Sequence, residues 1–214
     1  MPSSTTAPLR HVHLVRHGEV ENPRGISYGR LPGYRLSAAG VRQMAITADY
    51  LRSVCGDLRA LHCSPLQRAQ ESAAILAERL DEAPTVEPDL IEIASWRDGL
   101  PRRVAPLPYL RRFLDPQARA VSEQPREVVR RMRDVVSRAL ALTEATPGGS
   151  AVLVSHQAPI WFARVAFERA DSLGQRLLGV APWLLPDSRC DVASVTTLCF
   201  DADGRFVCSR YFAP

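Results

Sequence analysis

The chain of 214 residues has no lysine; all 27 of its basic residues are arginine. That absence excludes Schiff-base catalysis on a lysine and the Gly-Lys phosphate loop of nucleotide hydrolases. Its five cysteines, Cys55, Cys63, Cys190, Cys199 and Cys208, are odd in number and contain no C-x-x-C pair. They read as reduced, partly buried thiols of a cytoplasmic protein. No apolar run approaches the roughly 18 residues of a membrane span, and the opening MPSSTTAPLR lacks the apolar core of a signal peptide. Internal repeats and low-complexity tracts are also absent.

What is present suits one α/β domain with a full core: 46% of residues are hydrophobic and 23% charged. The net charge of +4 favours anionic partners without choosing between a small phosphate ester and a nucleic acid. Residues 1–9 read as a loose tail and 10–214 as a single domain. HVHLVRH (11–17) is β-rich and short, and a Gly- and Pro-dense loop follows it. LSAAGVRQMAITADYLRSV is helical, with Ser37 as N-cap. LRALHC (58–63) reads as a strand, and SPLQRAQESAAILAERL as a helix capped by Ser64 with Pro65 in its first turn.

An extended segment over 84–93 precedes an irregular, Arg- and Pro-rich stretch, about 94–124, which reads as a lid. Residues 125–145 form an amphipathic helix with Val128, Met132, Val135, Val136, Ala139 and Leu142 on one side. SAVLVSH (150–156) is a buried strand with a helix leaving it, and DADG closes a terminal hairpin between the strands DVASVTTLCF (191–200) and RFVCSRYF (205–212). Alternating strands and helices imply a three-layer α/β/α sandwich with a mainly parallel central sheet and an antiparallel C-terminal pair.

In such sheets the ligand crevice lies beyond the carboxyl ends of the strands. Arg16 and His17 end the first strand, Arg68 lies in the first turns of the helix after the second, and His156 ends the late strand. Two guanidiniums and one imidazole match a phosphoryl dianion, since arginine grips phosphate oxygens with paired, charge-assisted hydrogen bonds. The other imidazole is then free to act as a nucleophile. Neighbouring cations disfavour imidazolium and keep its lone pair available at neutral pH.

LVRHGE (14–19), SPLQRAQESA (64–73), LIE (90–92) and VLVSH (152–156), in that order, closely resemble the histidine phosphatase superfamily, also called phosphoglycerate mutase-like, over about residues 11–211. The resemblance implies a cofactor-free, metal-independent phosphoryl transfer. His17 would attack phosphorus, Arg16, Arg68 and His156 would hold phosphate oxygens, and Glu92 would be the proton donor. Gly18 belongs to the same motif. Three departures stand out. Gln157 replaces the usual Gly after the second His, so its amide could contact phosphate. Asn22 lies five residues after His17 rather than the family's six. Trp96-Arg97-Asp98-Gly99 stands where many members have Trp-Glu-Gly, which makes Asp98 an alternative acid.

The chain is short beside the cofactor-dependent mutases, which favours a phosphatase acting on a small-molecule phosphomonoester. The rivals are mutase-type transfer between positions of a small metabolite and a non-catalytic phosphate-ligand binder. His11-x-His13 reads as a packed pair rather than a metal site, because no third ligand stands at useful spacing. Cys63 and Arg68 fail the cysteine phosphatase pattern, with four residues between them instead of five. The arginines at 130, 131 and 133 read as a solvated helix face rather than a nucleic-acid platform. Arg102, Arg103, Arg111 and Arg112 lie in the lid, where one or two could hold a substrate carboxylate or second phosphate. No nucleic-acid or membrane partner is expected, and a homodimer is compatible with the sequence.

Overall fold

A computed structural model of the chain describes residues 8–101, 114–169 and 189–214. Its strands are β1 (Arg10–Arg16), β2 (Leu58–Cys63), β3 (Pro84–Val86), β4 (Ser150–Ser155), β5 (Val195–Phe200) and β6 (Phe206–Phe212). They form one sheet in the order β3-β2-β4-β1-β5-β6. The first four run parallel, β5 adds antiparallel to β1, and β6 adds antiparallel to β5. Helices α1 (Ala38–Val54) and α2 (Gln67–Leu80) cover one face, while α3 (Pro125–Ala141) and α4 (Gln157–Glu168) cover the other. The expected three-layer sandwich is therefore what the chain forms.

The central strands are buried on both faces, and the pleat divides their side chains between two cores. Val12, Leu14, Ala151 and Leu153 join the core under α3 and α4, whereas Val15, Val152 and Val154 join the core under α1 and α2. Truncating a fully buried leucine such as Leu153 to Ala costs about 2–5 kcal/mol in such settings. Ser37 caps α1 as expected, its hydroxyl accepting from the Gly40 N–H. The DADG hairpin also forms, with Gly204 at φ 77° and Asp201 Oδ1 accepting from the Arg205 N–H.

Four expectations change. Helix α2 starts at Gln67 without a side-chain cap, because the Ser64 hydroxyl is engaged elsewhere. Leu142 is the C-cap of α3 and is 49% exposed; Leu140 takes the core position instead. The first hairpin strand begins at Val195, after a turn in which Ala193 adopts φ 58°. Of Arg130, Arg131 and Arg133 on α3, only Arg130 is exposed. Arg131 grips Glu123, and Arg133 donates to the Ala166 carbonyl and lies over the Phe167 ring.

Of the 94–124 stretch, the described residues form a bridge between Pro101 and Ile26 and a single helical turn at Pro116–Ala120. Arg102, Arg103, Arg111 and Arg112, like residues 1–7 of the tail, lie outside the described residues. No group of His, Cys, Asp and Glu among the described residues could hold a metal ion, and no described helix is long and apolar enough to cross a membrane.

His13 is buried, with Nδ1 on Thr197 Oγ1 at 2.9 Å. Burial chiefly, and then the neighbouring His11, depress its pKa to about 3. Because the unfolded imidazole takes up a proton near pH 6.5 and the folded one does not, this group withdraws stability as pH falls below that value. The slope is about 1.4 kcal/mol per pH unit per such group. His13→Gln is expected to flatten the fall of the urea midpoint between pH 6.5 and 4. A pH dependence unchanged by the substitution would contradict this.

Candidate active site

The sheet register assembles the site. Arg16 pairs with Ser155 across β1 and β4, so His17 and His156 leave adjacent strands at the same level. Their ring centroids lie 5.1 Å apart at 60°. On the other side of β4, Ser64 leaves β2 one residue past the Cys63–Val154 pairing, and its N–H donates to the Val154 carbonyl. Helix α2 then carries Arg68 inward, where its side chain is 1% exposed.

His17 is buried, and its tautomer is set by its neighbours. The Gly18 carbonyl, 2.7 Å from Nδ1, can only accept, so Nδ1 carries the proton. Nε2 presents its lone pair and accepts from Arg68 Nε at 3.2 Å. Desolvation first, then the Arg68 charge, hold the imidazole well below its ordinary pKa. Position 18 must be glycine for contact with α1: a Cβ there would meet the Gly40 carbonyl oxygen at 2.6 Å. The Gly18 N–H donates to Ser72 Oγ.

His156 is fully buried, with Nε2 2.7 Å from Ser64 Oγ. Ser64 Oγ accepts from the Leu66 N–H, and we assign its own proton to the bond with His156 Nε2, the tautomer that leaves the ring proton on Nδ1. Nδ1 of His156 then holds a proton with no protein partner in a buried place, a donor poised for an anion. Desolvation first, then the neighbouring His17 ring and the Arg68 and Arg16 charges, hold this imidazole well below its ordinary pKa too. Sequence reasoning missed Ser64, which reads as a helix cap because its partner is 92 residues away.

Arg16 donates to the Cys190 carbonyl at 2.5 Å. Arg68 also donates to the Gly29 carbonyl at 2.7 Å, and its guanidinium lies 4.8 Å from the centre of the Tyr28 ring. A cavity of about 630 Å³ opens above His17, lined by Arg16, Tyr28, Glu92, Arg97, Asp98 and Gln157 among others. Arg68 and His156 stand beneath this lining. Burial chiefly raises the pKa of both Glu92 and Asp98. The Ile93 N–H donates to Glu92 Oε1, and the Arg30 N–H donates to Asp98 Oδ2 while Oδ1 is buried without a partner.

Gln157 is exposed at the first position of α4. Asn22 is placed differently: its amide bridges both backbone groups of Ile26, and it lines a neighbouring cavity that shares Arg16 and Tyr28 with the first. The structure thus brings Arg16, His17, Gly18, Arg68 and His156 together, sets Glu92, Asp98 and Gln157 on the cavity wall, and commits Asn22 to its own loop.

The model of the histidine phosphatase superfamily (branch 1) matches residues 12–212. The chain belongs to this superfamily. It is 41% identical to the uncharacterized protein Rv0525 of Mycobacterium tuberculosis over 95% of this chain and 94% of that one. Among solved structures it is similar to mycobacterial glucosyl-3-phosphoglycerate phosphatase Rv2419c, with a TM-score of 0.71, 22% identity, and 96% and 98% of the two chains covered. It is also similar to a phosphoglycerate mutase from Bacillus anthracis, with a TM-score of 0.68, 16% identity, and 98% and 93% covered. Those two likenesses concern the fold. The superfamily makes the chain a phosphatase- or mutase-type enzyme.

Ser64→Ala is expected to leave His156 Nε2 buried and unpaired, costing about 1–3 kcal/mol of stability. It should also weaken binding of inorganic phosphate by roughly 10-fold or more, the worth of one hydrogen bond to a charged group. Calorimetric titration showing wild-type affinity would contradict the assigned orientation of His156.

Proposed function

We propose that the protein is a phosphatase that hydrolyses a small-molecule phosphomonoester through a phosphohistidine on His17. The observation that carries this reading is the His17 ring itself: Nδ1–H fixed on the Gly18 carbonyl, Nε2 bare of a proton, and a guanidinium at hydrogen-bond distance.

In the first step Nε2 attacks phosphorus and the bond from phosphorus to the ester oxygen breaks. Arg68 has to release Nε2 and take up a phosphate oxygen as the ester enters. Arg16, Arg68 and His156 Nδ1–H would balance the charge on the non-bridging oxygens, which preorganised donors do with little rearrangement. Glu92, whose carboxyl pKa is raised chiefly by burial, would deliver its proton to the departing alkoxide; Asp98 stands by as the alternative. In the second step the resulting carboxylate takes a proton from water, which attacks the phosphohistidine and releases inorganic phosphate. The four positive or proton-donating groups supply the charge neutralisation that such a reaction otherwise draws from a metal, so a chelator is expected to leave turnover unchanged.

His17→Ala is expected to abolish hydrolysis of an aryl phosphate while retaining the fold. In the wild type, quenching in alkali during turnover should trap labelled phosphohistidine. The rate constant kcat/KM should hold as pH falls through 6.5, because the folded His17 stays neutral there, and fall at higher pH as the donor carboxyl ionises. Glu92→Gln should remove that alkaline limb and lower kcat/KM for alkyl esters by about 10²- to 10⁴-fold. An active His17→Ala variant would sink the reading, and an isomeric ester in place of free phosphate would make the enzyme a mutase.

A further inference from the structure

The acid-bearing segment, residues 91–98, has no strand or long helix to fix it, yet a proton donor must be held within tenths of an ångström of its target. A partly buried charge cluster performs this holding. Glu123 is the centre: Oε2 lies 2.8 Å from Arg30 Nη2, and Arg131 engages both carboxylate oxygens, Nε at 2.7 Å and Nη2 at 3.1 Å. The Glu123 and Arg131 side chains are only 14% and 12% exposed. In that setting a bidentate pair has geometry and energy that an exposed pair lacks.

The two arginines spend their remaining donors on the backbone around the acid. Arg30 Nε donates to the carbonyl of Glu92 itself at 2.6 Å, and the Arg30 backbone N–H donates to Asp98 Oδ2. Arg131 Nη1 donates to the Asp89 carbonyl at 2.5 Å, in the helical turn that leads into the same segment. The Glu123 N–H donates to the Ala94 carbonyl, and the Trp96 N–H donates to Ser122 Oγ. Residues 122 and 123 therefore tie the 27–31 loop, the acid segment and α3 into one unit, with Glu123 between the guanidiniums of Arg30 and Arg131.

We infer that Glu123, through Arg30 and Arg131, is a positioning residue for protonation of the leaving group. This rests on the phosphohistidine reading above. A purely structural role would slow all substrates alike. A positioning role slows only those whose leaving oxygen needs the proton. The value of kcat/KM reports formation of the phosphohistidine, where an aryl oxide departs without help and an alkoxide does not. Removing the Glu123 charge also leaves two uncompensated guanidiniums near Glu92, which favours its ionised form and moves the alkaline limb to lower pH.

The experiment measures kcat/KM for p-nitrophenyl phosphate and for glycerol 2-phosphate in wild type, Glu123→Gln and Arg30→Gln. Arg30→Gln keeps the backbone N–H on Asp98 but loses the contacts to Glu92 and Glu123, and it serves should Glu123→Gln fail to fold. The expected result is a loss on the order of 10-fold or more for the alkyl ester, within the 10² that a displacement of 1 Å can produce, and about 3-fold or less for the aryl ester. In Glu123→Gln the alkaline limb should move to lower pH, and Glu123→Asp should recover part of the alkyl activity. Equal losses on both esters, or none on either, would overturn the inference while leaving the phosphohistidine reading intact. That reading fails separately, through an active His17→Ala variant.

Discussion

An imidazole enclosed by protein beside a guanidinium cannot accept a second proton cheaply, and the rest of this site follows from that constraint. His17 has its one proton committed to the Gly18 carbonyl and its lone pair directed at Arg68. Such a ring stays a base and nucleophile where free histidine would begin to charge. Arg68 has two duties as a result: after desolvation its charge does most to hold the ring neutral, and its guanidinium, buried behind the cavity lining, stands beside the nucleophilic nitrogen to take up a phosphate oxygen.

The sheet makes this arrangement inexpensive in conformational terms. Two parallel strands in register, β1 and β4, deliver the two imidazoles side by side, and β2 supplies Ser64 to orient the second. These strands are buried on both faces, so the reacting groups stand on the stiffest part of the molecule. The carboxyls lie instead on an irregular segment, whose fixity depends on the Arg30–Glu123–Arg131 cluster rather than on a ladder. The nucleophile and the acid are thus held by different physics, packing for one and ion pairing for the other.

The same division decides what could be read from the residues alone. Arg16, His17, Arg68 and His156 each follow a short apolar strand or open a helix, and the rule that ligands gather at strand ends collects them without coordinates. Ser64, Arg131 and Glu123 were not legible in that way. A serine before Pro65 reads as a helix cap, and only the fold brings His156 to it. Arg131 shares a helix with Arg130 and Arg133, and one arginine in such a run reads like the next until a carboxylate eight residues earlier in the chain closes on it. Asn22 illustrates the converse: local turn chemistry holds its amide, and motif spacing alone could not reveal that its donors and acceptors were already engaged.

The state of His17 is directly observable by nitrogen-15 NMR of the imidazole. The account predicts that in the unliganded protein His17 remains the neutral tautomer protonated on Nδ1 from pH 7.5 down to at least pH 5.5, with Nε2 unprotonated throughout. A ring that titrates near 6.5, or that carries its proton on Nε2 at neutral pH, would contradict it.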